Sequence, residues 1–109
     1  MGKTTILGVD FDTYTLNEAT ERAVELMNEN GQHIICTPNP EIVMEAQKDR
    51  ELMGILKAAD MVTPDGVGVV WASKYSRTKI AERVSGYDLV IRIFDRIKNV
   101  EMIKLWLWF

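Results

Sequence analysis

At 109 residues the chain has material for one domain with a single modest core. Hydrophobic residues make up 47% and charged residues 27%, a balance that excludes a disordered chain. The formal net charge of −3 argues against a general nucleic-acid binder, although Arg77, Lys79 and Arg83 are close enough in sequence to form a local basic patch.

Taken in chain order, Thr4 to Val9 is short and apolar enough for a first strand. The "GKTT" at its start imitates the end of a phosphate-binding loop, but the upstream glycine and strand are missing and it is set aside. Residues 15–30 read as a helix: Thr15 and Glu18 fit a capping box, and Leu16, Ala19, Ala23, Leu26 and Met27 share one face. Gly31 is placed to end that helix in a left-handed conformation.

His33 to Cys36 is the second strand, stopped by "TPNPE". A sole cysteine excludes an intramolecular disulfide, and Cys36, beside Ile34 and Ile35, reads as a buried, inert thiol rather than a nucleophile. With His33 the only histidine, a zinc site of the usual His/Cys type is not available, and no metal or other cofactor is expected.

Asn39 as N-cap and Pro40 as first helical residue open a helix through Ile42, Val43 and Ala46. A further helical stretch carries Leu52, Ile55, Leu56 and Ala59. Asp60 to Thr63 is a third strand, ended by "PDG", after which Val67, Val70 and Trp71 repeat at helical spacing. Ser85 with Asp88 suggests another capped helix, with Tyr87, Val90, Ile91, Phe94 and Ile97 on one apolar face. "EMIKLWLWF" reads as a strand running into the C-terminus.

Strands alternating with helices predict an α/β fold, a mainly parallel sheet flanked by helices, with residues 1–109 as a single domain. Residues 98–109 are an atypical end, since a parallel strand is normally buried and followed by a covering helix. Trp106, Trp108 and Phe109 at its tip call for something to pack on, such as a second copy, so a homo-oligomer is expected. No apolar run approaches transmembrane length and no signal-peptide pattern opens the chain, so the expected location is cytoplasmic, with peripheral membrane attachment left open.

In open parallel sheets, ligands bind beyond the carboxyl ends of the strands. Two segments occupy that position, Thr37-Pro38-Asn39-Pro40-Glu41 and Thr63-Pro64-Asp65-Gly66. If their strands are neighbours, Thr37, Asn39 and Asp65 converge on one rim. Asp65 has two competing readings. As a helix N-cap or turn residue its oxygens would be taken by main-chain N–H groups, which weakens a base; as a catalytic base it must keep an oxygen free. Thr37 and Asn39 carry the same structural alternative.

Gly66 and Gly68 either let a ligand approach the backbone at a helix start that favours anions, or serve a turn and tight packing. Arg83 either grips a phosphate or pairs with nearby Glu82. A dinucleotide-binding domain is disfavoured because no G-x-G-x-x-G follows the first strand.

"ILGVDFDTYTLNEA", "TPNPEIVMEAQKD", "ADMVTPDGVGVVWASK" and "ERVSGYDLV", in that order, resemble the N-terminal part of the WecG/TagA/CpsF glycosyltransferase family. The branch most resembled is the N-acetylmannosaminyltransferases of wall teichoic acid linkage-unit synthesis. The resemblance covers roughly Ile6 to Val90 and rests on "TPN", "PDG" and "ERVSG" together. It implies a Rossmann-like enzyme, peripheral at the inner face of the cell membrane. The implied reaction passes N-acetylmannosamine from UDP-N-acetylmannosamine to undecaprenyl-diphosphate-linked N-acetylglucosamine, with inversion and without an essential metal.

Asp65 matches the family's general base, Thr37, Asn39 and Gly66 fall in its sugar-binding loops, and Arg83 matches a basic residue near the diphosphate. Family members are longer, so the fold is expected to be incomplete relative to them, as in a C-terminally truncated or frame-shifted chain, and activity of the short form impaired. The alternative is a non-catalytic half-domain that self-associates through its terminal strand.

Overall fold

The computed structural model describes residues 2–75, 78–80 and 82–97, and the backbone of 105–108. The chain opens not with one strand but with a hairpin: β1 (Lys3–Ile6) pairs antiparallel with β2 (Val9–Asp12), Thr4 opposite Phe11. The expected single strand over Thr4 to Val9 is thus broken at its middle. Leu7 and Gly8 turn the chain with φ of 49° and 81°, the doubly left-handed turn whose twist suits a two-residue hairpin. Leucine is a poor resident there, at a cost of about 1–2 kcal/mol, which is why "ILGV" does not read as a turn. Replacing Leu7 by Asn, at home in that conformation, is expected to raise stability by about 0.5–1 kcal/mol in a urea titration; a lower midpoint would contradict the strain.

Capping explains the helices. In α1 (Leu16–Met27) the Thr15 side chain accepts from the Glu18 N–H and the Glu18 carboxylate accepts from the Thr15 N–H, the expected capping box. Gly31, at φ 97°, turns the chain into β3 (His33–Cys36). Asn39 caps α2 (Pro40–Ala46), with proline at its first position, and Asp49 caps α3 (Arg50–Ala58). Then come β4 (Met61–Val62), a six-residue α4 (Val67–Ala72), a 3-10 turn over Ser73–Tyr75, α5 (Gly86–Ile97) and β5 (Leu105–Trp108).

The three later strands form a parallel sheet in the order β4-β3-β5. Its residues alternate between two cores, as the pleat requires. Ile35 and Met61 face one side, packed with Ala19, Ala23 and Leu26 of α1 and Leu89, Ile93 and Ile97 of α5. Cys36 and Val62 face the other, packed with Val9 and Phe11 of the hairpin, Val43, Leu56 and Val69. The fold is therefore mixed α/β with a parallel sheet covered on both faces, joined by one antiparallel hairpin.

Of the apolar face read for α5, Ile97 is buried, but most of the face is not the side that packs. Leu89 and Ile93 are buried, while Tyr87 (76%), Ile91 (50%) and Phe94 (52%) are exposed. Apolar residues on this helix make two stripes. The one that wins is the one α1 can reach, tethered by Arg92 to Asn17 and by the Arg96–Glu21 pair. Of the atypical end only the backbone of 105–108 is described, so the packing of Trp106, Trp108 and Phe109 lies outside the described residues, as does Arg77 of the basic patch.

One polar link joins hairpin to sheet. The buried Asp12 accepts the Val62 N–H at 2.9 Å, three residues before Asp65. Burial pushes its carboxyl above the ordinary value of 3.8, against the Val62 N–H and the Lys3 ammonium 3.9 Å away, which both act to lower it. The folded chain then holds this proton more tightly than the unfolded one. Its ionised form costs stability at neutral pH, and that cost is relieved as pH falls through the raised value toward 3.8. Between neutral pH and about pH 4 the native chain is expected to gain stability relative to Asp12→Asn. A difference that stays flat or shrinks in urea titrations would refute the raised value.

Candidate active site

The two loops singled out in the sequence meet. Because β3 and β4 are neighbours, Thr63 N–H continues the ladder to Cys36 O at 2.9 Å, and Asp65 N–H reaches Pro38 O at 3.4 Å. A third segment joins them: Val84 N–H donates to Pro64 O at 2.8 Å, and Gly86 N–H to Asp65 Oδ2 at 3.4 Å. Residues 37–39, 63–66 and 83–86 thus form one rim at the carboxyl ends of the strands. The chain leaves β3 for β4 and then crosses back to β5 on the far side, the kind of reversal beside which open α/β sheets bind ligands.

Asp65 is half-buried, and among the described residues its carboxylate accepts that one long hydrogen bond, on Oδ2. It is not the N-cap of α4, whose first turn has no side-chain cap; Gly66 occupies the cap position. Ser85 instead caps α5, accepting the Asp88 N–H at 3.1 Å. Asp65 therefore lies between a loop and a helix start with Oδ1 unengaged by the described residues, the arrangement a base requires.

Asn39 is committed as a cap: its Oδ1 accepts the Ile42 N–H at 2.9 Å, leaving the amide nitrogen for other work. Thr37 is buried at the root of the loop. Gly66 has φ 114° and ψ 142°, a conformation that in practice only glycine holds, and a Cβ there would stand 3.1 Å from Pro40 Cδ. A Cβ on Gly68 would meet Pro40 Cγ at 3.2 Å. Both glycines thus admit the Pro40 ring, which is the packing role weighed for them. Arg83 is exposed and has no carboxylate partner among the described residues. Glu82, its expected partner, accepts the Leu16 N–H instead at 2.5 Å.

Sequence reading did not single out Thr63 or Gly86 as site residues. Thr63 is fully buried with a hydroxyl that has no hydrogen-bond partner among the described residues. The signal was present: "TPN" after β3 and "TPD" after β4 repeat one strand-to-helix pattern, so Thr63 is the counterpart of Thr37.

Neither His33 nor Cys36 offers a reactive side chain to the rim. His33 is buried at the amino end of β3, away from the rim, its Nδ1 3.5 Å from Asp60 Oδ1. Burial pushes the Cys36 thiol up to about 11, so it is protonated at neutral pH. Ellman's reagent is expected to leave Cys36 unmodified in the native chain and to react fully in denaturant; rapid native labelling would contradict its burial. Among the described residues no cluster of three or more His, Cys, Asp or Glu could hold a metal ion, and no helix is long and apolar enough to cross a membrane.

Curated relatives share the chain's sequence. An N-acetylglucosaminyldiphosphoundecaprenol N-acetyl-beta-D-mannosaminyltransferase of Bacillus spizizenii is 37% identical over 70 residues, 64% of this chain and 27% of that protein. The protein of the same name from Staphylococcus aureus is 34% identical over 90 residues, 81% of this chain and 35% of that one. A third, from Bacillus subtilis, is 39% identical over 56 residues, 51% of this chain and 22% of its own length. The chain spans about a third or less of the relatives it matches. The model of the glycosyl transferase WecG/TagA/CpsF family matches residues 4–108, nearly the whole chain, and includes every segment of the rim: the chain belongs to that family.

Proposed function

We propose that the chain carries the catalytic-base half of a glycosyltransferase site. The reaction would pass N-acetylmannosamine from UDP-N-acetylmannosamine to undecaprenyl-diphosphate-linked N-acetylglucosamine at the inner membrane face. With it goes a Rossmann-like reading of the parallel sheet. The observation that carries the proposal is the seat of Asp65, held by Pro38 and Gly86 on the rim with Oδ1 unengaged by the described residues.

In this reading Oδ1 takes the proton of the acceptor hydroxyl as its oxygen attacks the anomeric carbon. The new C–O bond forms on the face opposite UDP while the bond to UDP breaks, so the configuration inverts. The electron pair leaves with the diphosphate, whose charge falls to Arg83, an exposed guanidinium on the same rim. Thr37, the Asn39 amide and the Gly66 backbone hold the sugars. No step calls on a metal.

Titrating UDP-N-acetylmannosamine into isotope-labelled chain tests the reading. Saturable shifts are expected at the amides of Asn39, Gly66, Arg83 and Gly86, unchanged by EDTA. No response at the rim would reject it. The edge position of β5 in the sheet favours a second reading, self-association through that strand. Sizing the protein with and without its last five residues decides that: a shift to smaller size on trimming, with no UDP-sugar response, selects it.

A further inference from the structure

Between the hairpin turn, α2 and α4 lies an open groove, with Leu7, Pro40, Met44, Gly68 and Ala72 on its walls. Every side chain lining it is apolar. Its rim stays apolar as well: Leu7, Met44, Val67 and Trp71 are all more than half exposed, and Trp71 packs edge-on against exposed Tyr75 with ring centres 5.7 Å apart. A continuous apolar surface with aromatic margins marks a binding surface rather than chance exposure.

The groove is continuous with the candidate active site through one residue. Pro40 follows the cap Asn39, its ring fills the space above Gly66 and Gly68, and its other side forms the groove wall. Pro40 thus stands between the loop that carries Asp65 and the apolar groove.

We infer that the groove takes the first isoprene units of the polyprenyl chain whose diphosphate-linked sugar is the acceptor. The identity of that occupant rests on the transferase reading above. The relatives' shared name specifies a substrate that joins a sugar diphosphate to undecaprenol, a polar head on a long hydrocarbon. A site for such a molecule needs a polar rim continuous with an apolar track, and this surface has both. Exposed Trp71 and Tyr75 beside the track suit the water–lipid boundary, where amphipathic rings settle. The other exposed stripe, Tyr87 and Ile91 on α5, is a poorer candidate, because the hollow beside it includes Asp88 and Arg92.

The experiment is a methyl-resolved NMR titration of the whole chain with farnesyl diphosphate, a water-soluble isoprenoid. Expected are saturable shifts at the methyls of Leu7, Met44, Val69 and Ala72, with none from inorganic diphosphate. A Leu7→Asn/Met44→Glu variant alters two exposed wall positions and is expected to keep a folded spectrum while binding farnesyl diphosphate at least about tenfold more weakly. Three results would overturn the inference: a response centred on α5, an equal response to inorganic diphosphate, or groove methyls that shift only with protein concentration, which would make the occupant a second copy. UDP-N-acetylmannosamine added to the same sample separates the two ideas. A rim response without farnesyl in the groove sinks the groove and keeps the transferase; farnesyl in the groove without a rim response does the reverse.

Discussion

In a full-length version, Asp65→Asn is expected to lower the rate of sugar transfer by about 10²- to 10⁴-fold, the usual worth of a general base, with little change in the KM for the donor. The substitution is close to isosteric, and the amide oxygen still accepts the Gly86 N–H, a bond that at 3.4 Å contributes little. The thermal midpoint should therefore hold, and so should the rim shifts caused by the UDP-sugar. On the proposed mechanism, what disappears is an oxygen able to take a proton from the attacking hydroxyl. UDP release in the presence of a lipid-linked acceptor is the measurement, and a variant that turns over at the wild-type rate removes Asp65 from the mechanism.

The second large effect concerns Gly66, which sets the direction of the Asp65 backbone. Gly66→Ala places a Cβ 3.1 Å from Pro40 Cδ at φ 114°, a conformation alanine scarcely adopts. Strain of this kind costs about 1–3 kcal/mol, and for a chain of this size each 1 kcal/mol moves the thermal midpoint by about 4–8 °C. A fall of about 10 °C is expected, with loss of the rim's response to UDP-sugar because residues 64–66 must shift. Gly68→Ala is the internal control. Its Cβ would sit 3.2 Å from Pro40 Cγ, but in a helix, where alanine is favoured over glycine by about 1 kcal/mol, so the two effects offset. Equal destabilisation by both variants would mean that the proline contact, not the left-handed backbone, dominates at Gly66.

The same distinction decides how much of the molecule was legible beforehand. Helix starts at Thr15, Asn39 and Ser85 rest on a side chain bonding a backbone N–H three residues on, so the whole interaction fits inside a short window of sequence. The alternation of strands and helices, the parallel pairing, the inert Cys36 and the family motifs were readable for similar reasons. The hairpin was not, because its turn uses a leucine in a conformation leucine avoids, held there by the β1–β2 ladder and by the Gln47 amide donating to the Leu7 carbonyl at 2.8 Å. Thr63 was overlooked because its hydroxyl matters through burial, which residue type does not disclose.

Local chemistry by itself determined where the backbone turns into helix, which loops stand at the strand ends, and that an aspartate and an asparagine lead those loops. Which stripe of α5 is buried depended on the reach of α1, and the seat of Asp65 depended on Pro38, 27 positions earlier, and Gly86, 21 positions later. Those contacts exist only once β3 and β4 lie side by side. Hydrogen bonds across three residues form wherever the chain passes, whereas contacts across twenty need the whole sheet to bring them together.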